Sequence, residues 1–333
     1  MNTSGRHSCC RAVWLRTLLP NLLVCAFAVI FSESASAQIF VTDGANNTIG
    51  EYTLSGTPIN ARLVIRLNTP VGLASDGSGH LFVANGNGTM TVGEYTTSGD
   101  VVNAALITGL INPWQIALGG NGHLFVASLG GSGTGSVGEY TTSGGSVAPS
   151  LITGLSSPTG LALDGLGHIF VTDSTHGTVS EYSTSGTLIN PALISGLAGP
   201  QRVAVDGQGH LFVANLSSGT IGEYATDGTA INASLISGLN SPHGITVGPN
   251  GDLYVASGAT FGAGVVNEYT TSGVVVNATL ISGLAIHEDI VVVPEPCAAT
   301  LLLAATLLCQ RVNWRHLRNK LPCNPRRNSR GLF

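Results

Sequence analysis

The sequence predicts an all-β fold: a six-bladed β-propeller of four-stranded blades, closed into a ring by a C-terminal strand at 287–293 that joins the N-terminal blade. Three observations predict it. A Glu-Tyr pair recurs at Glu51-Tyr52, Glu94-Tyr95, Glu139-Tyr140, Glu181-Tyr182, Glu223-Tyr224 and Glu268-Tyr269, at steps of 43, 45, 42, 42 and 45 residues. A fixed period of this length marks a repeat architecture. Charged residues make up only 9% of the 333, and glycine counts 45, which disfavours helices and suits short strands joined by tight turns. The repeat also starts in mid-unit and ends with a lone first strand, as a closed circle requires.

The elements follow in chain order. Arg6, Arg11 and Arg16 precede the apolar run from Leu18 to Phe31. Ala35-Ser36-Ala37 then sets small residues just before Gln38. A basic start, an apolar run and a small-residue site predict a secretory signal peptide over 1–37, and hence export.

The fourth repeat shows the unit. Pro158 to Asp164 reads as a first strand, and Asp164-Gly165-Leu166-Gly167 as a tight turn with glycines where positive φ is needed. His168 to Asp173 is a second strand. Thr178 to Ser183 is a third, and a fourth lies around Ile189 to Ile194. Four short antiparallel strands make one propeller blade. The body begins at a second strand, Gln38 to Asp43, whereas His287 to Val292 fits a first-strand slot after the sixth Glu-Tyr pair. The last strand therefore completes the first blade and covers an open edge. The propeller spans 38–293.

The tail, 294–333, repeats the leader's logic in reverse. Val293-Pro294-Glu295-Pro296 is followed by the apolar stretch Cys297 to Cys309, then by Arg311, Arg315, Arg318 and Lys320. The apolar stretch is shorter than the roughly 20 residues that span a bilayer. The order Pro-Glu-Pro, apolar segment, basic end resembles the PEP-CTERM sorting signal of Gram-negative bacteria. The resemblance implies exosortase-type sorting machinery as a partner, transient membrane contact through the tail, and a cell-surface or extracellular destination.

Between Gln38 and Val293 only Arg62, Arg66 and Arg202 are basic, against sixteen acidic residues, a net charge of about −13. Such a body repels phosphate backbones, which excludes nucleic acid as a partner. Cys9, Cys10 and Cys25 lie in the leader and Cys297, Cys309 and Cys323 in the tail. The propeller therefore has no disulfide and no thiol nucleophile or ligand.

Residues present in every copy belong to the scaffold; a single site must break the symmetry. The Glu-Tyr pairs are thus structural, with the tyrosines filling space between blades. His80, His123, His168 and His210 recur at the turn before the second strand. A ring sets them one blade apart, too far to share an ion at about 2.1 Å each.

The positions that vary lie at the start of each inner strand. The first holds Val71, Trp114, Thr159, Gln201, His243 and Glu288; the next holds Gly72, Gln115, Gly160, Arg202, Gly244 and Asp289. One end of the central channel therefore gathers the ligand-binding candidates Trp114, Gln115, Gln201, Arg202, His243, Glu288 and Asp289. They include a base, oxygen ligands for a hard cation, a cation for a carboxylate and an aromatic platform. Arg202 either meets an outside partner or pairs with Glu288 or Asp289.

The unit Pro-x-Gly-Leu/Ile-Ala-x-Asp-x-x-Gly-His-Leu-Phe-Val-Ala-Asn resembles the NHL repeat and the repeats of gluconolactonase-like propellers and of virginiamycin B lyase. These relatives include binders and enzymes, so the resemblance implies architecture before activity. The leading expectation is a non-enzymatic surface or matrix scaffold that binds a polysaccharide, peptide or protein, with no cofactor. The alternative that the resemblance implies is a metal-dependent lactonase or lyase using a divalent cation, calcium or magnesium. His243 and Glu288 are then the catalytic candidates and Glu288 and Asp289 the metal candidates.

Overall fold

The computed structural model describes residues 37–294, except 87, 132, 259–262 and 286–288. The predicted leader and tail, with His287 and Glu288, lie outside the described residues. Six four-stranded antiparallel sheets form the blades. Their inner strands are Ile290–Val293 (blade 1), Pro70–Ser75, Pro113–Leu118, Pro158–Leu163, Pro200–Val205 and Pro242–Val247 (blade 6). Each chain segment then runs outward. In blade 4 the next strands are His168–Asp173, Thr178–Ser183 and Leu188–Ile194.

The second strands read as unbroken apolar runs because both their faces are buried. Alternate side chains point to opposite faces of a strand. Ile169 and Val171 pack on Phe125, Val137 and Ile152 of blade 3, while Phe170 packs on Val203, Leu211 and Val213 of blade 5. The six cores are thus the seams between blades. Each Glu-Tyr tyrosine reaches back to the preceding blade: Tyr95 joins Ile49 and Val64 of blade 1, and Tyr52 joins Val266 and Ile281 of blade 6. The Tyr52 ring lies over Gly50, where a Cβ would stand 2.7 Å from Cε2.

The ring closes as the split repeat predicts. Gln38 to Val41 pair antiparallel with Val293 to Ile290. Of the expected 287–293, Ile290–Val293 is described as strand, and 287 and 288 lie outside the described residues. Asp289 extends it, donating its N–H to Thr42 Oγ1 at 2.8 Å and accepting from Thr42 N at 3.0 Å.

The turn histidines find partners within their own blades. Asp164 Oδ1 accepts from Leu166 N and His168 N, and its Oδ2 takes His168 Nδ1 at 2.6 Å. His80 and His210 do the same with Asp76 and Asp206, and His123 pairs with Glu139 at 2.7 Å. Blade 6 has Asp252 in the histidine slot. There Tyr254 replaces the usual phenylalanine and donates to Glu268 Oε1 at 2.8 Å. Burial, with the Glu268 carboxylate beside it, holds the Tyr254 hydroxyl well above the usual phenol range.

A second pattern runs around the ring. The second strands end in Asp43, Asn85, Ser128, Asp173, Asn215 and Ser257, so blades 1–3 repeat as blades 4–6. Blades 3 and 6 also share ten-residue outer strands, Ser146–Leu155 and Val275–Leu284.

Candidate functional site

The axis is built from alternation. Around the ring the second position of the inner strands reads Asp289, Gly72, Gln115, Gly160, Arg202 and Gly244. Large polar side chains come from every other blade, and the glycines between them let neighbouring strands close in. A Cβ on Gly72 would lie 2.7 Å from Trp114 O and 3.0 Å from Gln115 Oε1. One on Gly160 would lie 2.7 Å from Gln201 O and 2.8 Å from Arg202 Cα. No side chain fits there without moving backbone.

Arg202 occupies the centre and is only 4% exposed. Its Nη1 donates to Thr159 O. Its Nη2 donates to Val71 O at 2.6 Å and approaches Trp114 O at 3.4 Å. Its Nε lies 3.5 Å from Asp289 Oδ1. One planar guanidinium thus ties blades 2, 3 and 4 to its own blade 5 and to the closing strand. A fork of five fixed donors suits this task, and a lysine would not. Burial pushes the guanidinium pKa down from its ordinary value, and Asp289 opposes that shift.

Asp289 is 2% exposed. Its Oδ2 accepts from Leu73 N at 2.9 Å. Both carboxylate oxygens therefore face donors or positive charge within the protein.

The other candidates separate from this hub. Trp114, Gln201 and His243 sit one position earlier and are half-buried at the channel mouth. Gln201 Nε2 donates to Ser174 Oγ at 3.3 Å, and His243 Nε2 lies 3.2 Å from Gly258 O. To bond that carbonyl, Nε2 must carry a proton. Arg202 and Asp289 are brought together, and the Trp114 carbonyl joins them. Glu288 lies outside the described residues. Among the described residues no three His, Cys, Asp or Glu side chains are grouped to hold a metal. Asp289 also does not suit a divalent cation, because the guanidinium beside it would repel one.

Gln115 differs from both sets. It is 8% exposed, and its Oε1 has no hydrogen-bond partner among the described residues. It faces a cavity of about 260 Å³ on the far side of the guanidinium from the mouth. The cavity is lined by the second halves of the inner strands, including Leu73, Ser75, Val205, Thr246 and Val247, with Asp289 at its inner end.

Sequence reasoning missed two things here. One is that the partners of Arg202 are main-chain carbonyls. The other is that Gln115 belongs to the channel interior rather than the mouth. The glycine alternation is the signal for the second, whereas a main-chain carbonyl leaves no residue-type signal for the first.

Comparisons with known proteins fit this architecture. The model of the virginiamycin B lyase family matches residues 23–263. The chain belongs to the virginiamycin B lyase family. Three solved structures illustrate the likeness of this family member to other propellers. A chain of the nidogen/laminin complex has a TM-score of 0.66 at 16% identity, covering 79% of this chain and 100% of that one. A Bacteroides caccae protein of unknown function has a TM-score of 0.58 at 16% identity, covering 77% and 98%. A gluconolactonase from Xanthomonas campestris has a TM-score of 0.57 at 14% identity, covering 68% and 84%. Identities this low carry the fold alone. No curated protein matches this virginiamycin B lyase family member.

Proposed function

We propose that this member of the virginiamycin B lyase family is an exported, non-enzymatic binding propeller that presents its surface to a polysaccharide, peptide or protein. The observation that carries the reading is the commitment of Arg202 and Asp289 to the ring itself. The three main-chain carbonyls and Leu73 N take up the charged groups that the channel would otherwise offer to a substrate. Support also comes from the leader, 1–37, and from the Pro-Glu-Pro, apolar and basic order of the tail, which together fit delivery to the cell surface by exosortase-type machinery. The chain from the nidogen/laminin complex shows a fold of this kind within a protein–protein assembly.

The test is saturable binding of the purified chain to extracellular polysaccharide or envelope protein, with and without calcium or magnesium. Binding indifferent to the ion, with no turnover of lactones or of virginiamycin B, is expected. Family membership favours one second reading, a metal-dependent lyase or lactonase with His243 as base and Glu288 as ligand. Ion-dependent turnover that is lost in His243→Ala would establish it and remove the first. For the sorting reading, deletion of 294–333 should abolish surface delivery; unchanged delivery would refute it.

A further inference from the structure

We infer that the channel cavity beneath Arg202 is a binding site for a small, uncharged, hydroxyl-rich molecule, a polyol or monosaccharide, entering from the face opposite the mouth. The site is independent of the surface scaffold reading, which concerns macromolecules on the outside of the ring.

The walls define the chemistry. Each inner strand is hydrogen-bonded only to the second strand of its blade, so its other edge faces the axis. Two contacts show which backbone groups turn inward: Val71 O meets Arg202 and Leu73 N meets Asp289. In an extended strand the pattern repeats every second residue. Further along the same strands, Ser75, Val205 and Val247 line the cavity at the equivalent parity. The wall is therefore a sleeve of fixed main-chain donors and acceptors, joined by the hydroxyls of Ser75 and Thr246. A hydroxyl is the group that answers such a wall, because it donates and accepts at one atom.

The inner end makes a sharper demand. Gln115 lines the cavity, and its buried Oε1 has no hydrogen-bond partner among the described residues. A buried acceptor is stabilised only when a donor reaches it. An anion is excluded because Asp289 is the charged side chain on the lining, and that carboxylate already has the Arg202 guanidinium beside it as its counter-charge, Nε to Oδ1 3.5 Å. The roughly 260 Å³ volume is below the common range for drug-sized ligands, about 300–1,000 Å³. A ligand the size of one sugar ring or a short polyol fits. The lining follows the second halves of the inner strands, the ends that lead into the turns carrying His80 and His210.

The full-length chain would be titrated calorimetrically with glycerol, erythritol and glucose, and the same titrations repeated on Gln115→Leu and His243→Ala. Saturable binding of at least one is expected. It should weaken about five- to tenfold in Gln115→Leu, the worth of one hydrogen bond, and stay unchanged in His243→Ala at the other end. If Gln115→Leu does not fold, Thr246→Val takes its place with the same criteria. No saturable binding to the folded chain would overturn the inference. So would binding that His243→Ala weakens while the cavity variant leaves it intact. Either outcome leaves the macromolecular scaffold reading standing, since that reading is tested by different ligands.

Discussion

At the residue scale, Arg202 is the side chain on which the most depends. Replacing it with methionine leaves Asp289 buried beside no positive charge and leaves three carbonyls without their donor. Removal of one partner from a buried pair costs about 3–5 kcal/mol. Urea unfolding should therefore place Arg202→Met at least that far below the wild type. Arg202→Met with Asp289→Leu should recover part of the loss, because no charge is then stranded. Gly160→Ala tests the close approach of the strands. Its Cβ would meet Gln201 O and Arg202 Cα, and crowding of this kind costs about 1–3 kcal/mol.

The turn carboxylates set a pH dependence whose sign is fixed. Burial pushes Asp164 up, but hydrogen bonds from the His168 side chain and from the His168 and Leu166 N–H groups outweigh it, so the pKa lies below the usual carboxylate value. A carboxylate lowered by folding contributes stability above its unfolded pKa of about 3.9 and loses it as pH falls through the folded value. Thermal unfolding of Asp164→Asn should differ most from wild type near neutral pH, and the difference should shrink as pH falls below about 4. A gap that persists undiminished at low pH would contradict the assignment.

These residues show unevenly how much of the site can be read from sequence. The spacing from Asp76 to His80 stands in the sequence and identifies a pair once a tight turn is assumed. That Arg202 and Asp289 share the axis was also legible, because both break the symmetry of the repeat. The partners of Arg202 were not, since a main-chain carbonyl has no residue-type signature. Gln115 was grouped with the mouth because register alone does not say which way a flexible side chain turns.

At the scale of elements, the blades were legible almost to the residue. In blade 4 the second and third strands fall where the alternation and turns put them, at His168–Asp173 and Thr178–Ser183. The substitution of Tyr254 in blade 6 is an exchange within one element. With no histidine to meet Glu268, the added hydroxyl does so. Tyr254→Phe should cost about 1–3 kcal/mol, because Glu268 is left buried with a lost donor. Adding Asp252→His should return part of it, measured as a double-mutant cycle in urea.

The outer strands manage a different problem. Val101, Val102, Leu188 and Ile189 are half-exposed or more on blade edges, and a flat apolar edge invites pairing with another chain. Register shifts between the third and outer strands bend each edge. Asn103 Oδ1 and Asn190 Oδ1 accept from the N–H two residues on, which turns those donors inward. The chain shows this as a recurring Asn in the outer strands, whose role becomes plain only with the bulges beside it.

At the scale of the whole molecule, closure rests on four residues of the last strand pairing with Gln38 to Val41. Truncation after Asp289 should expose the inner edge of blade 1 and uncover the seam that Val293 shares with Leu73 and Val83. Urea unfolding would then lose its single transition and blade 1 would become the first target of protease. Truncation after Pro294 should leave both measurements at wild type.

The two patterns around the ring have different periods. The axial residues alternate every second blade, while the Asp-Asn-Ser series at the strand ends repeats every third. Two and three share no factor, so no two blades carry the same combination, although all six are near copies. Each blade thus has its own address. A ring closed with one blade missing would either set glycine against glycine at the axis or crowd two long polar side chains there, depending on which blade is lost. Near-identical repeats are prone to such errors of counting, and here the alternation at the axis penalises every odd count.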